Sequence, residues 1–108
     1  MKIQPGAYVI VSLSEPKEKF WGVVEEINAA GVFVRGIDLN SYEELLRLLA
    51  HGEEGIYPAT LFFPLRRVER VLLDETSGPV QSFVARFEER TEMRIAEYLG
   101  EDDYDIPY

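Results

Sequence analysis

The fold is decided by the stretch FWGVVEEINAAGVFVRGIDL, residues 20–39. Residues 20–27 and residues 32–37 are both rich in β-branched and aromatic residues, which is typical of two strands. The turn NAAG at residues 28–31 joins them. Asn28 and Gly31 tolerate left-handed backbone angles, so we expect a tight hairpin with Gly31 as its left-handed residue.

Gly22 lies inside the first of these strands and has no side chain to pack. A glycine at such a position usually marks a sharp bend or a close approach of another backbone. Trp21 and Val23 share one face of this strand, while Phe20 and Val24 share the other. The strand therefore predicts the strong bend that a small closed barrel needs.

The rest of the chain adds three strands and two helical regions to this hairpin. The strand candidates are Tyr8–Leu13, Ala59–Phe63 and Val68–Leu73, and a helix is predicted at 41–51. After Pro79 the apolar residues change to helical spacing, and Thr91 could cap a second helix there. One long helix and two consecutive helices both fit this C-terminal pattern.

Composition bounds the class of protein. The 108 residues predict one domain, and the absence of cysteine excludes disulfides and thiolate chemistry. No apolar run is long enough for a membrane span and no secretory signal is recognised, so we expect a cytoplasmic protein with no membrane association.

Charge is unevenly distributed along the chain. Residues 1–73 carry 8 basic and 10 acidic groups, whereas residues 74–108 carry 3 basic and 10 acidic groups, giving the net charge of −9. This balance disfavours general binding to phosphate backbones.

The order of elements resembles the Sm-like family, which includes the bacterial RNA chaperone Hfq. The alternating first strand and Gly22 match the first Sm signature, and Asn28 stands where that signature has an aspartate. Residues 61–63, followed by Val68 and Val71, reproduce the spacing of the second signature. The resemblance covers residues 7–73. It implies a five-stranded, strongly bent antiparallel Sm-like barrel with a helix inserted after the third strand. With the C-terminal helix that the spacing after Pro79 predicts as an addition, the expected fold is mainly β with α additions.

This resemblance also divides the chain. Residues 1–73 would form the small barrel with its inserted helix, and residues 74–108 a C-terminal helical extension with an acidic tail, in one domain overall. Sm-like proteins read uracil with an aspartate and an asparagine of the hairpin loop and an arginine after the fourth strand. The matching positions here hold Asn28, Val32 and Pro64. The residues that would read RNA are therefore mostly absent.

Six residues are candidates for contact with a partner or a nucleic acid: Arg35, Arg66, Arg67, Arg70, Asn28 and Trp21. Arg66, Arg67 and Arg70 form the only basic cluster, with Arg35 as a possible neighbour across the sheet, and could contact phosphates or an acidic protein surface. Trp21 and Phe33 could stack on bases, but packing in or near the core is the favoured interpretation for both. Pairing of the arginines with nearby glutamates or with the acidic C-terminal region is likewise favoured over direct contact with nucleic acid.

No residue pattern indicates catalysis, a cofactor or a metal. His51 ends a predicted helix and has no recognisable nucleophile or acid partner. Tandem carboxylates such as Glu25-Glu26 would point to opposite faces of a strand, and the aspartates at 102, 103 and 105 lack a defined turn.

The sequence therefore predicts a non-enzymatic Sm-like module that forms homo-oligomers or binds a protein partner. The alternative is an RNA-binding Sm-like protein that uses a non-standard basic and aromatic surface. An enzyme built on tandem carboxylates is the least favoured hypothesis.

Overall fold

A computed structural model describes residues 2–100 of the chain. The strands are β1 (Tyr8–Leu13), β2 (Glu18–Asn28), β3 (Gly31–Asp38), β4 (Ala59–Pro64) and β5 (Val68–Leu73); the α-helices are α1 (Tyr42–Ala50), α2 (Phe83–Thr91) and α3 (Ile95–Leu99). Short 3₁₀ turns at Leu39–Ser41 and Leu65–Arg67 precede α1 and β5. The mainly β class, the five strands and the inserted helix are confirmed. The predicted acidic tail lies outside the described residues.

The five strands form one antiparallel sheet in the order β4-β3-β2-β1-β5. The prediction of a closed barrel is wrong, because β4 and β5 are the two edges of this sheet and do not pair with each other. Both edge strands nevertheless contribute side chains to one apolar cluster. The rings of Phe20 and Phe63, from strands that are not neighbours, lie 5.3 Å apart between centroids. The sheet is therefore curled, but open.

Each face of the sheet has its own apolar cluster. The inner cluster fills the concave face and consists of Ala7, Val9, Val11, Leu13, Phe20, Val24, Val32, Val34 and Phe63. The outer cluster lies between the sheet and the helices and consists of Ile10, Trp21, Val23, Ile37, Tyr42, Leu45, Leu46, Phe87, Ile95 and Leu99. Alternate residues of β2 enter each cluster in turn, as the period-two pattern of this strand predicts.

The close approach predicted at Gly22 is present, and its partner is Gly36. The two glycines face each other across β2 and β3. A Cβ on Gly22 would lie 2.2 Å from the carbonyl oxygen of Arg35, and a Cβ on Gly36 would lie 1.9 Å from that of Trp21. The backbones can therefore approach this closely only because neither residue has a side chain.

The hairpin turn forms at the predicted place but is stabilised by different interactions from those predicted. Gly31 is not among the residues with positive φ, so its predicted left-handed conformation is wrong. Asn28 closes the turn instead, because its Oδ1 accepts from the backbone N–H of Ala30 at 2.8 Å and of Gly31 at 3.3 Å. Gly31 is needed for space, since a Cβ there would lie 2.2 Å from the carbonyl oxygen of Phe63 on β4.

The C-terminal region forms two helices, which decides between the two arrangements that the pattern allowed. The hydroxyl of Ser82 caps α2 by accepting from the N–H of Ala85. Glu92 and Gly100, both with left-handed backbone angles, end α2 and α3. Both helices pack on the sheet through the outer cluster. Among residues 2–100, no helix is both long and apolar enough to cross a membrane.

Candidate interaction surface

The most distinctive surface is the free edge of the sheet at β4. One edge of the β4 backbone pairs with β3, from Gly36 opposite Ala59 to Gly31 opposite Pro64. No strand of the described residues pairs with the other edge, which we call the outer side of β4. Its first four residues are exposed, and the strand carries no charged side chain. Free edges are usually protected by charges, prolines, bulges or a covering element. The one proline of β4 is Pro64, its last residue, so Ala59–Phe63 are open to pairing with another strand.

Apolar side chains extend this edge. Leu61 and Phe62 are 39% and 41% exposed, and the ring of Phe62 packs on that of Phe33 at 4.8 Å between centroids. In the turn after β4, Leu65 is 52% exposed, and its N–H donates to the carbonyl of Ala30. We name Leu61, Phe62, Leu65 and the outer backbone of β4 the β4 edge surface.

The opposite edge of the sheet, β5, has a mixed character. β5 pairs with β1 on one side, and none of residues 2–100 extends the sheet beyond it. Leu72 is 47% exposed, whereas Glu69 and Arg70 form an exposed ion pair at 3.8 Å. We name Glu69, Arg70 and Leu72 the β5 edge surface. It offers one large apolar side chain beside two charges.

Two of the four candidate arginines are used inside the fold. Arg35 donates through Nε to the carbonyl of Leu99, at the end of α3, and through Nη1 to Thr60 Oγ1 at 3.3 Å. Arg67 donates to the carbonyls of Ser14 and Pro16 at 3.1 and 2.8 Å and so holds the β1–β2 loop. Both side chains therefore stabilise the structure of their own chain.

The remaining two arginines are exposed at the β5 side of the sheet. Arg66 lies in the turn before β5, and its side chain forms no hydrogen bond or ion pair with any described residue. Arg70 pairs with Glu69 at 3.8 Å, a surface contact of small energy. Of the predicted cluster Arg66, Arg67 and Arg70 and its possible neighbour Arg35, two side chains are thus accessible.

Trp21 and Asn28, the other two candidates, also have structural positions. Trp21 is 1% exposed, its ring meets Tyr42 edge-on at 5.2 Å, and its Nε1 donates to Asp74 at 3.0 Å. A side chain buried to this extent is not available to stack on a base. Asn28 is exposed, but it is fixed by the turn and donates through Nδ2 to Glu26 at 2.7 Å.

Titratable groups do not assemble into a reactive site in the part of the chain described. Across residues 2–100, no group of three or more histidine, cysteine, aspartate or glutamate side chains could hold a metal ion. His51 Nδ1 lies 2.8 Å from the carbonyl oxygen of Arg47 at the end of α1. Burial raises the pKa of Tyr42 and of Tyr98 to about 12, and each hydroxyl donates to a backbone carbonyl. Both tyrosines are therefore neutral structural groups near neutral pH.

Sequence reasoning missed two features that the structure brings out. The first is the β4 edge surface, for which the signal was the uncharged run between Pro58 and Pro64. The second is Asp74, whose carboxylate accepts from the N–H groups of Phe83 and Val84 at 2.7 and 2.9 Å. No local signal marks Asp74, because its partners depend on the tertiary fold.

No family model, curated protein or solved structure matches this chain. The function must therefore be argued from the surfaces of the molecule.

Proposed function

We propose that this protein is a non-enzymatic, self-assembling module of the Sm-like kind, in which β4 of one copy pairs with β5 of the next. The observation that carries the proposal is the uncharged, exposed outer side of β4. Edge strands pair readily with strands of other chains unless something prevents it. β4 carries no charged side chain, and its proline, Pro64, stands at the last position, so Ala59–Phe63 stay open to pairing.

The choice of β5 as the partner follows from the topology of the sheet. β4 and β5 are the two ends of one open sheet, so joining them between copies continues the sheet without a gap. Each edge also exposes a large apolar residue, Phe62 on one side and Leu72 on the other. Because the two surfaces differ, each copy can bind two neighbours, which produces a ring or an open chain.

Mass measurement tests this proposal. Light scattering on a sizing column should give a particle several times the monomer mass of 12.4 kDa. Phe62→Lys and Leu72→Lys each place a charge on one edge and should each reduce that mass. Val80→Lys is the matched control, because Val80 is 66% exposed and belongs to neither edge. A monomeric unmodified chain, or assembly unaffected by both edge variants, would refute the proposal.

A mixing experiment tests the head-to-tail geometry. In an equimolar mixture, the Phe62→Lys variant retains a free β5 edge and the Leu72→Lys variant retains a free β4 edge. The two should form a species of twice the monomer mass and nothing larger. If β4 instead paired with β4 of a second copy, the Leu72→Lys variant alone would assemble normally. That result would contradict the β4–β5 pairing.

The RNA-binding alternative is tested on the same column. Nucleic acid bound to the protein would add ultraviolet absorbance to the protein peak, and the absorbance would fall steeply with salt. Arg66→Gln together with Arg70→Gln would remove the two exposed arginines of the predicted cluster. With Trp21 buried and two arginines used internally, the observations favour assembly over RNA binding.

A further inference from the structure

An apolar pocket opens on the helical side of the molecule, away from both edge surfaces. Its volume is about 200 Å³, and it lies between α1, the loop that follows it and α3. The apolar lining comes from Leu45, Leu48, Leu49, Ile56, Met93 and Tyr98. A dry cavity of about 150 Å³ is enough to hold a benzene ring. This pocket is therefore large enough for one branched aliphatic or aromatic side chain.

The walls of the pocket are held by hydrogen bonds. The Tyr98 hydroxyl donates to the carbonyl of Ile56 at 2.8 Å, which joins α3 to the loop. At the end of α1, the N–H groups of Gly52 and Glu53 donate to the carbonyls of Leu49 and Leu48 at 3.0 and 2.8 Å. The pocket is thus formed before any ligand arrives, which lowers the conformational cost of binding.

The rim of the pocket is acidic. Glu53 and Glu54 stand on the loop and Glu97 on α3, and the lining contains no lysine or arginine. Glu54 accepts from the hydroxyl of Tyr57 at 3.0 Å, which raises the pKa of that tyrosine. Arg47, the basic residue of the last turn of α1, is paired with Glu44, and its charge also interacts with Glu53, which offsets part of the negative charge of the rim. Three carboxylates around an apolar opening are complementary to an apolar group with positive charges beside it.

We propose that this pocket binds a basic peptide segment of a partner protein, with one apolar side chain inserted and its flanking lysines or arginines facing Glu53, Glu54 and Glu97. The apolar lining provides the affinity, and the acidic rim selects the flanking charge. This site goes beyond the proposed assembly and does not depend on it, because the pocket shares no residue with either edge surface.

Peptide titration of the full chain tests the proposal. The probes are capped five-residue peptides in which glycine ends enclose lysine, a central residue and a second lysine. With leucine at the centre, we expect saturable shifts of the Met93 methyl resonance, which reports on the pocket directly. Serine at the centre should weaken binding by roughly tenfold to a hundredfold, because the buried apolar group is lost. Glutamate in place of the lysines should abolish binding.

Charge reversal on the protein provides the second measurement. Glu53→Lys and Glu97→Lys should each raise the Kd of the leucine peptide about tenfold, and added salt should weaken binding to the unmodified chain. Glu89→Lys, an exposed change on α2 outside the pocket, is the matched control. Circular dichroism verifies that each variant is folded.

Three results would overturn the proposal: no shift at Met93 with millimolar peptide, equal binding of the leucine and serine peptides, or equal effects of the rim and control variants. Because the Phe62→Lys variant should bind the peptide normally, a failure of the assembly proposal is distinguishable from a failure of this one.

Discussion

Replacing Asp74 is expected to destabilise the fold more than any other single change to a surface-accessible carboxylate. Asp74 ends the β5 region, and its carboxylate reaches both the sheet and a helix. Oδ2 accepts from Trp21 Nε1 at 3.0 Å and from the N–H of Val84 at 2.9 Å, while Oδ1 accepts from the N–H of Phe83 at 2.7 Å. One carboxylate thus satisfies a buried indole and the first turn of α2.

The magnitude follows from these three bonds. In Asp74→Asn, the single amide oxygen can replace Oδ2 and keep two donors, but the amide N–H₂ then faces the N–H of Phe83. Losing one bond to a charged acceptor costs about 1.5–3 kcal/mol. Asp74→Ala leaves all three donors without this acceptor, and we expect about 3–4 kcal/mol because such losses are not additive.

Urea unfolding followed by circular dichroism provides the assay. The free energy of unfolding should decrease in the order unmodified chain, Asp74→Asn, Asp74→Ala. Glu75→Gln changes the exposed neighbour and should stay within about 0.5 kcal/mol of the unmodified chain. If Asp74→Ala were no more destabilising than Glu75→Gln, the reasoning from these hydrogen bonds would be wrong.

Three further predictions concern the buried tyrosines, the close contact at Gly22 and the hairpin turn. The raised pKa values of Tyr42 and Tyr98, about 12 against an ordinary 10.0, mean that the unfolded chain loses these protons first. Their contribution to the free energy of unfolding is therefore complete below pH 10 and is lost as the pH rises towards 12. Urea unfolding midpoints measured across this pH range test this. If the midpoint of the variant with both tyrosines replaced by phenylalanine fell with pH as steeply as that of the unmodified chain, the prediction would be wrong. Gly22→Ala should cost about 3 kcal/mol or more through its contact with the β3 backbone, whereas Gly78→Ala, with open space but positive φ, should cost about 1 kcal/mol in the same unfolding assay. Asn28→Ala should cost about 1 kcal/mol. In a Glu26→Gln background, which avoids two facing carboxylates, Asn28→Asp retains the acceptor, so equal losses of the two variants in thermal unfolding would refute the role of Asn28 in the turn.

The elements of this fold were predictable because their signals are local. The strands Tyr8–Leu13 and Val68–Leu73 have the predicted ends, since short runs rich in β-branched and other apolar residues, bounded by turn residues, are local signals of a strand. Gly22 was recognisable as a point of close approach for the same reason. Its partner Gly36 was not, because the register between two strands depends on pairing that a single strand does not reveal.

The candidate site was less predictable because the uses of its side chains depend on distant partners. Arg35 binds a carbonyl 64 residues away, and Trp21 binds a carboxylate 53 residues away. Neither distance leaves a trace in the spacing of the sequence. The prediction of a closed barrel was wrong for a similar reason, because a bend in one strand does not determine whether the two edges of the sheet meet. The Sm-like resemblance, the homo-oligomer and the protein partner stay predictions.

The position of β2 has a consequence for how this molecule unfolds. Its side chains alternate between the inner and outer clusters, and its backbone is paired on both sides with β1 and β3. Because both clusters contain side chains of β2, disrupting one cluster displaces this strand and disrupts the other as well. The inner and outer clusters should therefore unfold in one cooperative transition. Hydrogen exchange at the amides of residues 21–24 would then occur only through global unfolding, and its rate would report the stability of the whole domain.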